Sequence, residues 1–269
     1  MTEPRIQLDR DSFGGVTVVV DGTQQSYVQP DDPSLLVFEY VQHFALVLDT
    51  LPPGPLAVTH VGGAGLTLPR YVEATRPGST QVVLEPDAAL TEVVRREVPL
   101  PRRHRIRVRP LDGATGMRAL ADGSADVVVV DAYAHGRIPE DLTTVAFLTD
   151  VRRVLRPHGV LLLNVADEPR RRFLGRVLAT IPEAGYADRL VLATSEVLRG
   201  RRFGNSVVVA SAAPLEVAAI RRRVSTMPFP AGVRHGHEVD RMVSGGRPLT
   251  VEDSEWSPAP PDLGSWRLR

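Results

Sequence analysis

Three acidic residues follow short apolar segments of this chain, and they are the side chains best placed to do chemistry. "VVVVDAY" places Asp131 after four valines, "VVLEPD" contains Glu85, and "RPLDG" contains Asp112 followed by Gly113. A carboxylate accepts hydrogen bonds from hydroxyls and amines, and it can accept a proton from a reacting group. Asp also favours turns, so each acid alone could simply end a strand. The repeated placement of an acid after a strand-like segment predicts that the three carboxylates lie together at one edge of a sheet and form a functional site.

A glycine-rich turn follows a fourth apolar segment. "THVGGAGL" contains Gly62, Gly63 and Gly65, which permit a tight turn and a close approach of a ligand to the backbone. Glu85 follows Gly62 at about the twenty-residue spacing at which an acid binds ribose hydroxyls. Glu85 could instead cap the next helix, but Asp87 is better placed to do so. The spacing favours a nucleoside site.

The elements that must position these residues alternate along the chain. From Leu56 onward, strand-like segments alternate with helical ones, which is typical of an α/β fold with a mostly parallel sheet covered by helices on both faces. "ADRLVLATS" and "FGNSVVVASA" lack an intervening helical pattern and predict an antiparallel hairpin at the edge of the sheet.

Three regions are expected along the chain. Residues 1–55 form a small N-terminal β region with a linking helix, and residues 56–213 form the nucleoside-binding catalytic domain. Residues 214–269 form a helix and an irregular extension, in which Trp256 and Trp266 are expected to be buried.

The residue types at this edge select the charge of the ligand. The chain has no lysine, so a phosphate-binding loop of the usual kind and Schiff-base chemistry are both excluded. Three carboxylates would repel a phosphate and attract a cation. A nucleoside with a positively charged sulfonium fits better, with carboxylates for the ribose and the adenine amino group.

Composition excludes several other classes of function. The 32 basic residues balance 32 acidic ones, which argues against a nucleic-acid partner. Cysteine is absent, so disulfides and thiolate nucleophiles are excluded. No apolar segment reaches the roughly 18 residues of a membrane span, and we expect a cytoplasmic protein without a membrane partner.

These motifs together resemble the spermidine synthase (polyamine aminopropyltransferase) family over roughly Val16 to Ser211. "VDGTQQS" is similar to the turn that places the family's ligand-contacting glutamine, here Gln25, and "FEYVQ" is similar to F-x-Y-x-E, with Tyr40 as its tyrosine. "GGAGLT", "LEPD" and "LDGA" resemble the family's glycine-rich, ribose and adenine motifs. "VVVVDAYAHGRIPEDL" resembles its D-S-S-D-P segment, and "RVLRPHGVLLLN" its L-K-P-x-G-V-L stretch.

The resemblance implies a class I methyltransferase-like (Rossmann-like) fold and an aminopropyl transfer. Decarboxylated S-adenosylmethionine, or S-adenosylmethionine, would be the co-substrate, a small-molecule amine the acceptor, and no metal would be needed. Asp131 and Tyr40 would be catalytic, with Asp131 as the general base. The residues implied in binding the co-substrate are Gln25, Gly62, Gly63, Gly65, Glu85, Asp112 and Gly113. The resemblance also suggests a homodimer or a tetramer.

Three family acids are replaced in this chain. The second aspartate of D-S-S-D falls on Ala134, the acid of the glycine loop falls on Gly65, and the glutamate after the tyrosine falls on Gln42. Those acids would bind the cationic polyamine and the amine tail of the co-substrate. A methyltransferase on the same scaffold and a catalytically silent homologue therefore stay open as alternatives.

Two histidine patterns suggest further chemistry. His135 could act as a base beside Asp131, although a surface loop position is the simpler interpretation. "HGHEVD" has no recognised metal-binding spacing, so we expect no metal there.

Overall fold

The protein consists of two β-sheets and nine helices in the part described by this computed structural model, residues 5–243 and 245–261. A small antiparallel sheet has the order β1-β2-β3, and a large sheet has the order β11-β9-β10-β8-β7-β4-β5-β6. The strands are β1 (Ile6–Arg10), β2 (Val16–Val20), β3 (Thr23–Val28), β4 (Ala57–Val61), β5 (Thr80–Leu84), β6 (Ile106–Arg109), β7 (Ala125–Val130), β8 (Leu155–Asp167), β9 (Asp188–Thr194), β10 (Gly204–Ser211) and β11 (Ala231–His235). The helices are α1 (Glu39–Leu48), α2 (Thr67–Thr75), α3 (Ala88–Glu97), α4 (Gly113–Arg118), α5 (Val145–Val154), α6 (Arg172–Glu183), α7 (Ser195–Leu198), α8 (Val217–Val224) and α9 (His237–Val243). A 3₁₀ turn, Glu140–Thr143, precedes α5.

The five strands β6, β5, β4, β7 and β8 are parallel, as the alternation of strands and helices predicted. Strand β7 shows why this sheet needs helices on both faces. Val128 and Val130 belong to one buried cluster with α5 and α6, whereas Val127 and Val129 belong to another with α1 and α2. A strand buried on both faces reads as a continuous apolar run, which explains the four valines. The predicted fold class is confirmed.

The predicted antiparallel pairing of β9 with β10 is confirmed, but the prediction that this pair forms the edge of the sheet is wrong. Strand β10 inserts between β8 and β9 and is antiparallel to both, and the short helix α7 connects β9 to β10. The edge is instead formed by β11, which pairs antiparallel with β9. The prediction that residues 214–269 form only a helix and an irregular extension was therefore wrong at Ala231–His235, because these residues form β11 and complete the sheet.

The segment after α9 packs on the loop that follows β7. The Ile138 N–H donates to Ser257 Oγ at 2.8 Å, and the Ser257 N–H donates back to the Ile138 carbonyl at 3.3 Å. Ser257 is fully buried, whereas Trp256 is 36% exposed, with the Arg137 guanidinium 5.7 Å from its ring centre. The predicted burial of Trp256 is thus wrong, and Trp266 lies outside the described residues. The division of the chain near residues 55 and 213 stays a prediction.

The small sheet is joined to the segment after β4 through Gly65 and Thr67. The Gly65 N–H donates to Ser26 Oγ on β3 at 2.9 Å, and a Cβ on Gly65 would lie 2.3 Å from that oxygen. Arg70, only 4% exposed, donates to the carbonyls of Val98 and Pro99 beyond α3. Burial lowers the pKa of Arg70 to about 10. The Thr67 hydroxyl donates to the Tyr27 carbonyl on β3 at 2.8 Å, so two hydrogen bonds hold the small sheet against the segment after β4.

Replacing Gly65 by alanine tests this junction. The new Cβ would overlap Ser26 Oγ and lie 2.9 Å from Val28 Cγ2, so we expect Gly65→Ala to lower the free energy of unfolding by about 1–3 kcal/mol. Urea denaturation measures the change. Adding Ser26→Ala removes the closest contact and should recover part of the loss. A Gly65→Ala protein within about 0.5 kcal/mol of the wild type would contradict the close packing.

Candidate active site

A cavity of ≈ 590 Å³ opens at the carboxyl ends of β4, β5, β6 and β7. This edge is where open parallel sheets place their ligands. The residues predicted to bind or react that line it are Gln25, Tyr40, Gly62, Gly63, Glu85, Asp112, Gly113 and Asp131. The structure thus brings together all but one of the predicted site residues.

The glycine-rich turn after β4 forms the floor of the cavity. Gly62 has φ +90, and a Cβ there would lie 2.2 Å from the carbonyl oxygen of Asp131. Only glycine allows this approach, because both the conformation and the space exclude a side chain. The turn therefore lies directly against the backbone that carries Asp131.

Glu85 closes the same turn from the end of β5. Its Oε2 accepts the N–H groups of Gly63 at 2.9 Å and Ala64 at 3.2 Å, and its Oε1 accepts the Asp87 N–H at 3.0 Å. Asp87 in turn caps α3 by accepting the Leu90 N–H at 2.8 Å, which confirms its predicted role as the cap. Glu85 is thus held in one orientation at the cavity wall.

Asp112 and Gly113 form the next part of the wall. Asp112 caps α4 by accepting the Thr115 N–H at 2.8 Å, and this hydrogen bond is the main cause that lowers the pKa of its carboxyl. One carboxylate oxygen therefore has a structural role, while the side chain still lines the cavity. A Cβ on Gly113 would lie 2.5 Å from Val61 and 2.9 Å from Leu142, so packing requires glycine there.

Two residues singled out by the sequence lie away from the cavity. Gly65 is buried against Ser26 and Val28 and does not line it, so its place in the structure is at the junction of the two sheets. Gln42 also does not line it, and its Nε2 donates to the Leu36 carbonyl at 2.8 Å. Neither position contributes a polar group to the cavity.

Asp131, directly after β7, is the most perturbed acid of the cavity. Burial raises its pKa to about 6, while hydrogen bonding by the Asn164 amide and the Tyr40 hydroxyl lowers it. Asn164 Nδ2 on β8 donates to Asp131 Oδ1 at 2.9 Å. A carboxyl with a pKa near 6 is ionised at neutral pH and can still accept a proton, as a general base must.

Two tyrosines, Tyr40 and Tyr133, lie near this carboxylate. Burial and the neighbouring charge of Asp131 raise the pKa values of Tyr40 and Tyr133 well above the usual range, so both hydroxyls stay protonated. The Tyr133 hydroxyl accepts the Ala166 N–H at 3.1 Å, which fixes its ring against β8. Both tyrosines line the cavity beside Asp131.

Sequence reasoning missed Asn164, Tyr133 and His60. Asn164 is 1% exposed and interrupts the apolar run of β8, which was the available signal. His60 on β4 lines the cavity, and burial lowers its pKa to about 4, so the ring is neutral. Its Nε2 lies 2.9 Å from Gln81 Oε1, while Gln81 Nε2 donates to the Pro69 carbonyl at 3.0 Å. The lone pair of the imidazole is therefore on Nδ1.

The remaining histidines do not form a metal centre. His135 is exposed at the cavity mouth with φ +53, and His235 bonds Asp188 at 2.8 Å. Throughout the described ranges, no three His, Asp or Glu side chains are grouped so that they could hold a metal ion. None of the helices in those ranges has the length and apolar character needed to cross a bilayer.

Comparison with known proteins places this site in a family context. No protein-family model matches the chain. The chain is 27% identical over 229 residues to a polyamine aminopropyltransferase from Chromobacterium violaceum, covering 82% of each sequence. It matches the crystal structure of a probable spermidine synthase from Corynebacterium glutamicum with a TM-score of 0.84 and 26% identity, covering 99% of this chain and 96% of the other.

A more distant match shows how widely the fold is shared. Human methyltransferase-like protein 13, solved in complex with SAH, gives a TM-score of 0.55 at 22% identity, covering 78% of this chain and 95% of the other. This likeness shows the fold alone. With the cavity at the carboxyl edge of the parallel sheet, the chain has a methyltransferase-like fold and is similar over most of its length to polyamine aminopropyltransferases and a probable spermidine synthase.

Proposed function

We propose that this protein transfers the aminopropyl group of decarboxylated S-adenosylmethionine to an amine. The nitrogen of the acceptor forms a bond to the aminopropyl carbon next to the sulfonium, the carbon–sulfur bond breaks, and methylthioadenosine leaves. Asp131 takes the proton that the new nitrogen–carbon bond releases. Catalysis then depends on positioning and on a general base.

The charge of the cavity is the observation that carries this proposal. Six carboxylates line it: Asp21, Glu85, Asp87, Asp112, Asp131 and Asp141. Although all 32 basic residues of the chain are arginine, none of those in the described ranges lines this cavity. Such a cavity favours a ligand with several positive charges, and within the described ranges it offers an anion no charged partner.

The negative charge of the cavity also predicts which of two sulfonium compounds binds more tightly. Decarboxylated S-adenosylmethionine carries a sulfonium and an ammonium, whereas S-adenosylmethionine adds a carboxylate that would need a cation or free N–H donors. Glu85 already occupies the N–H groups of Gly63 and Ala64 in the floor of the cavity. Ribose hydroxyls could bind the remaining lone pairs of Glu85, and Asp112 lies one strand further on for the adenine amino group.

Methyl transfer from S-adenosylmethionine is the second candidate. The fold is shared with a methyltransferase-like protein, and Gln42, which stands where the family has a glutamate, lies away from the cavity. A catalytically silent homologue is the third. The three candidates differ in which nucleoside binds and in whether turnover follows.

Paired calorimetric titrations separate these candidates. We expect decarboxylated S-adenosylmethionine to bind at least tenfold more tightly than S-adenosylmethionine, a difference of about 1.4 kcal/mol, because only the latter brings a carboxylate into the acidic cavity. Tighter binding of S-adenosylmethionine would favour methyl transfer. Binding of neither compound would favour the silent homologue.

Asp131→Asn tests the general base and its burial together. We expect transfer to fall by about 10²–10⁴-fold. The carboxyl of Asp131 has a pKa of about 6 in the folded chain and its usual pKa of 3.8 in the unfolded chain. Above pH 6 its charged form is therefore less favourable in the folded chain, which lowers the stability of the wild type. The variant should therefore raise the free energy of unfolding by about 1–3 kcal/mol at pH 8, and the gain should shrink as the pH falls from 6 towards 4.

Thermal unfolding at pH 8 and pH 5, beside steady-state rates, measures both effects. Asp9→Asn is the matched control, because Asp9 is an exposed aspartate on β1. An Asp131→Asn protein that is less stable than the wild type at pH 8, or fully active, would contradict the assignment.

Asn164→Ala tests the neighbour that positions this base. The Asn164 amide lowers the pKa of Asp131, so its loss should raise that pKa above about 6. The acid limb of kcat/KM against pH should move upward by about one unit, since a hydrogen bond to a charged group contributes about 1.5–3 kcal/mol. A purely structural role would lower stability but leave the acid limb in place.

A further inference from the structure

The cavity has an acidic half, formed by Asp21, Glu85, Asp87, Asp112 and Asp141. Glu85 and Asp112 follow β5 and β6, and Asp141 is close enough to Asp112 for that charge to raise its pKa, after the larger effect of burial. Asp21 reaches this half from the turn after β2, where the preceding residue, Val20, packs in one cluster with Leu90 of α3. The small sheet therefore covers the acidic half, where the proposed nucleoside binds.

The other half of the cavity is apolar. Its walls come from the α1 and α2 side of the large sheet, where Val41, Leu68 and Val129 share one buried cluster with Phe38 and Tyr40 packed against it. The rings of Phe38 and Tyr40 stack with centres 6.0 Å apart. We call this set, with Pro69 and His60, the apolar half.

Asp131 supplies the single negative charge of the apolar half within the described residues. The causes that set its pKa are burial, the Asn164 amide and the Tyr40 hydroxyl, and no second carboxylate is among them. One strand, β4, lies between β7, which Asp131 follows, and β5, which Glu85 follows. The two acids are therefore two strand spacings apart, roughly 10 Å. His60 is neutral, so it neither repels nor balances a cation.

We propose that the acceptor is a primary amine with an uncharged, apolar body, and not a diamine. This inference rests on the proposed function, because it takes the nucleoside to lie in the acidic half and the reacting nitrogen to lie at Asp131. A single amine has one partner there, the Asp131 carboxylate. The rest of the acceptor then extends between Phe38, Tyr40 and Leu68, where an alkyl or aryl group gains from burial. A second ammonium would be desolvated without a carboxylate to pair with.

An isosteric pair of amines tests this inference. Pentylamine and 1,4-diaminobutane have the same length and differ by one terminal group, a methyl in place of an ammonium. Each is titrated calorimetrically into the protein saturated with methylthioadenosine. We expect pentylamine to bind at least tenfold more tightly. Equal affinities, tighter binding of the diamine, or no binding of either amine would overturn the inference.

Ala134 provides the matched variants. It lines the cavity on the loop after Asp131, and a larger side chain at this position would extend from the cavity wall. Ala134→Asp should shift the ratio of the two affinities towards the diamine by fivefold or more, because it adds a second carboxylate near the apolar half. Ala134→Asn, of nearly the same size without the charge, should leave the ratio unchanged. If Ala134→Asp leaves the ratio of the two affinities unchanged, charge does not determine the preference for the monoamine, and the inference is contradicted.

Failure of the proposed function would look different. In that case neither decarboxylated S-adenosylmethionine nor methylthioadenosine binds, and the amines are then titrated into the free protein. The apolar half is built from protein groups alone, so its preference for pentylamine is measurable without a nucleoside. If the protein binds no nucleoside but still prefers pentylamine, the proposed transfer reaction is wrong, whereas the inference of an apolar amine-binding pocket is supported.

Discussion

The partly buried carboxylate of Asp131 is the constraint on which the arrangement of this edge depends. An ionised acid out of water is costly unless neutral donors surround it. Asn164 reaches it from β8, Tyr40 approaches it from α1, and the carbonyl of Asp131 itself lies where a side chain on Gly62 would stand. Three elements distant in sequence thus have to assemble before the charge is tolerated.

The apolar packing on both faces of β7 creates that burial. Its four valines contribute alternately to two cores, and Asp131, the residue that follows them, lines the cavity. The pKa of Asp131 is raised for this reason, and the same packing places its carboxylate at the wall of the cavity. The stability of the sheet and the raised pKa of this acid therefore have one physical origin.

Much of this edge could be predicted because parallel strands bring their carboxyl ends together. The local patterns of β4 to β8 and the acids after them were sufficient to expect a cavity with Glu85, Asp112 and Asp131 on one edge. The insertion of β10 between β8 and β9, and the pairing of β11 with β9, depend on contacts between distant segments that leave no local pattern. Asn164 was missed for a related reason, since its meaning depends on which strand lies beside it.

The acidity of the cavity also depends on where the arginines are. Arg70 and Arg76 are nearly buried, yet their guanidinium groups donate to main-chain carbonyls, Arg70 beyond α3 and Arg76 between α1 and β4. A guanidinium has five donors and can satisfy several carbonyls at once, which an ammonium does less well. These two cations stabilise connections between elements, and neither forms an ion pair with a carboxylate of the cavity.

The pairing between Ile138 and Ser257 has a consequence for how the molecule is made. The two residues are 119 positions apart, and they hold the loop that forms one wall of the cavity. During synthesis at about 5–20 residues per second, the parallel strands can pair several seconds before Ser257 has been added. The carboxyl edge of the parallel strands can thus assemble on the ribosome before the wall beside Asp131 is completed. A nascent chain would acquire its parallel sheet first and its closed cavity later.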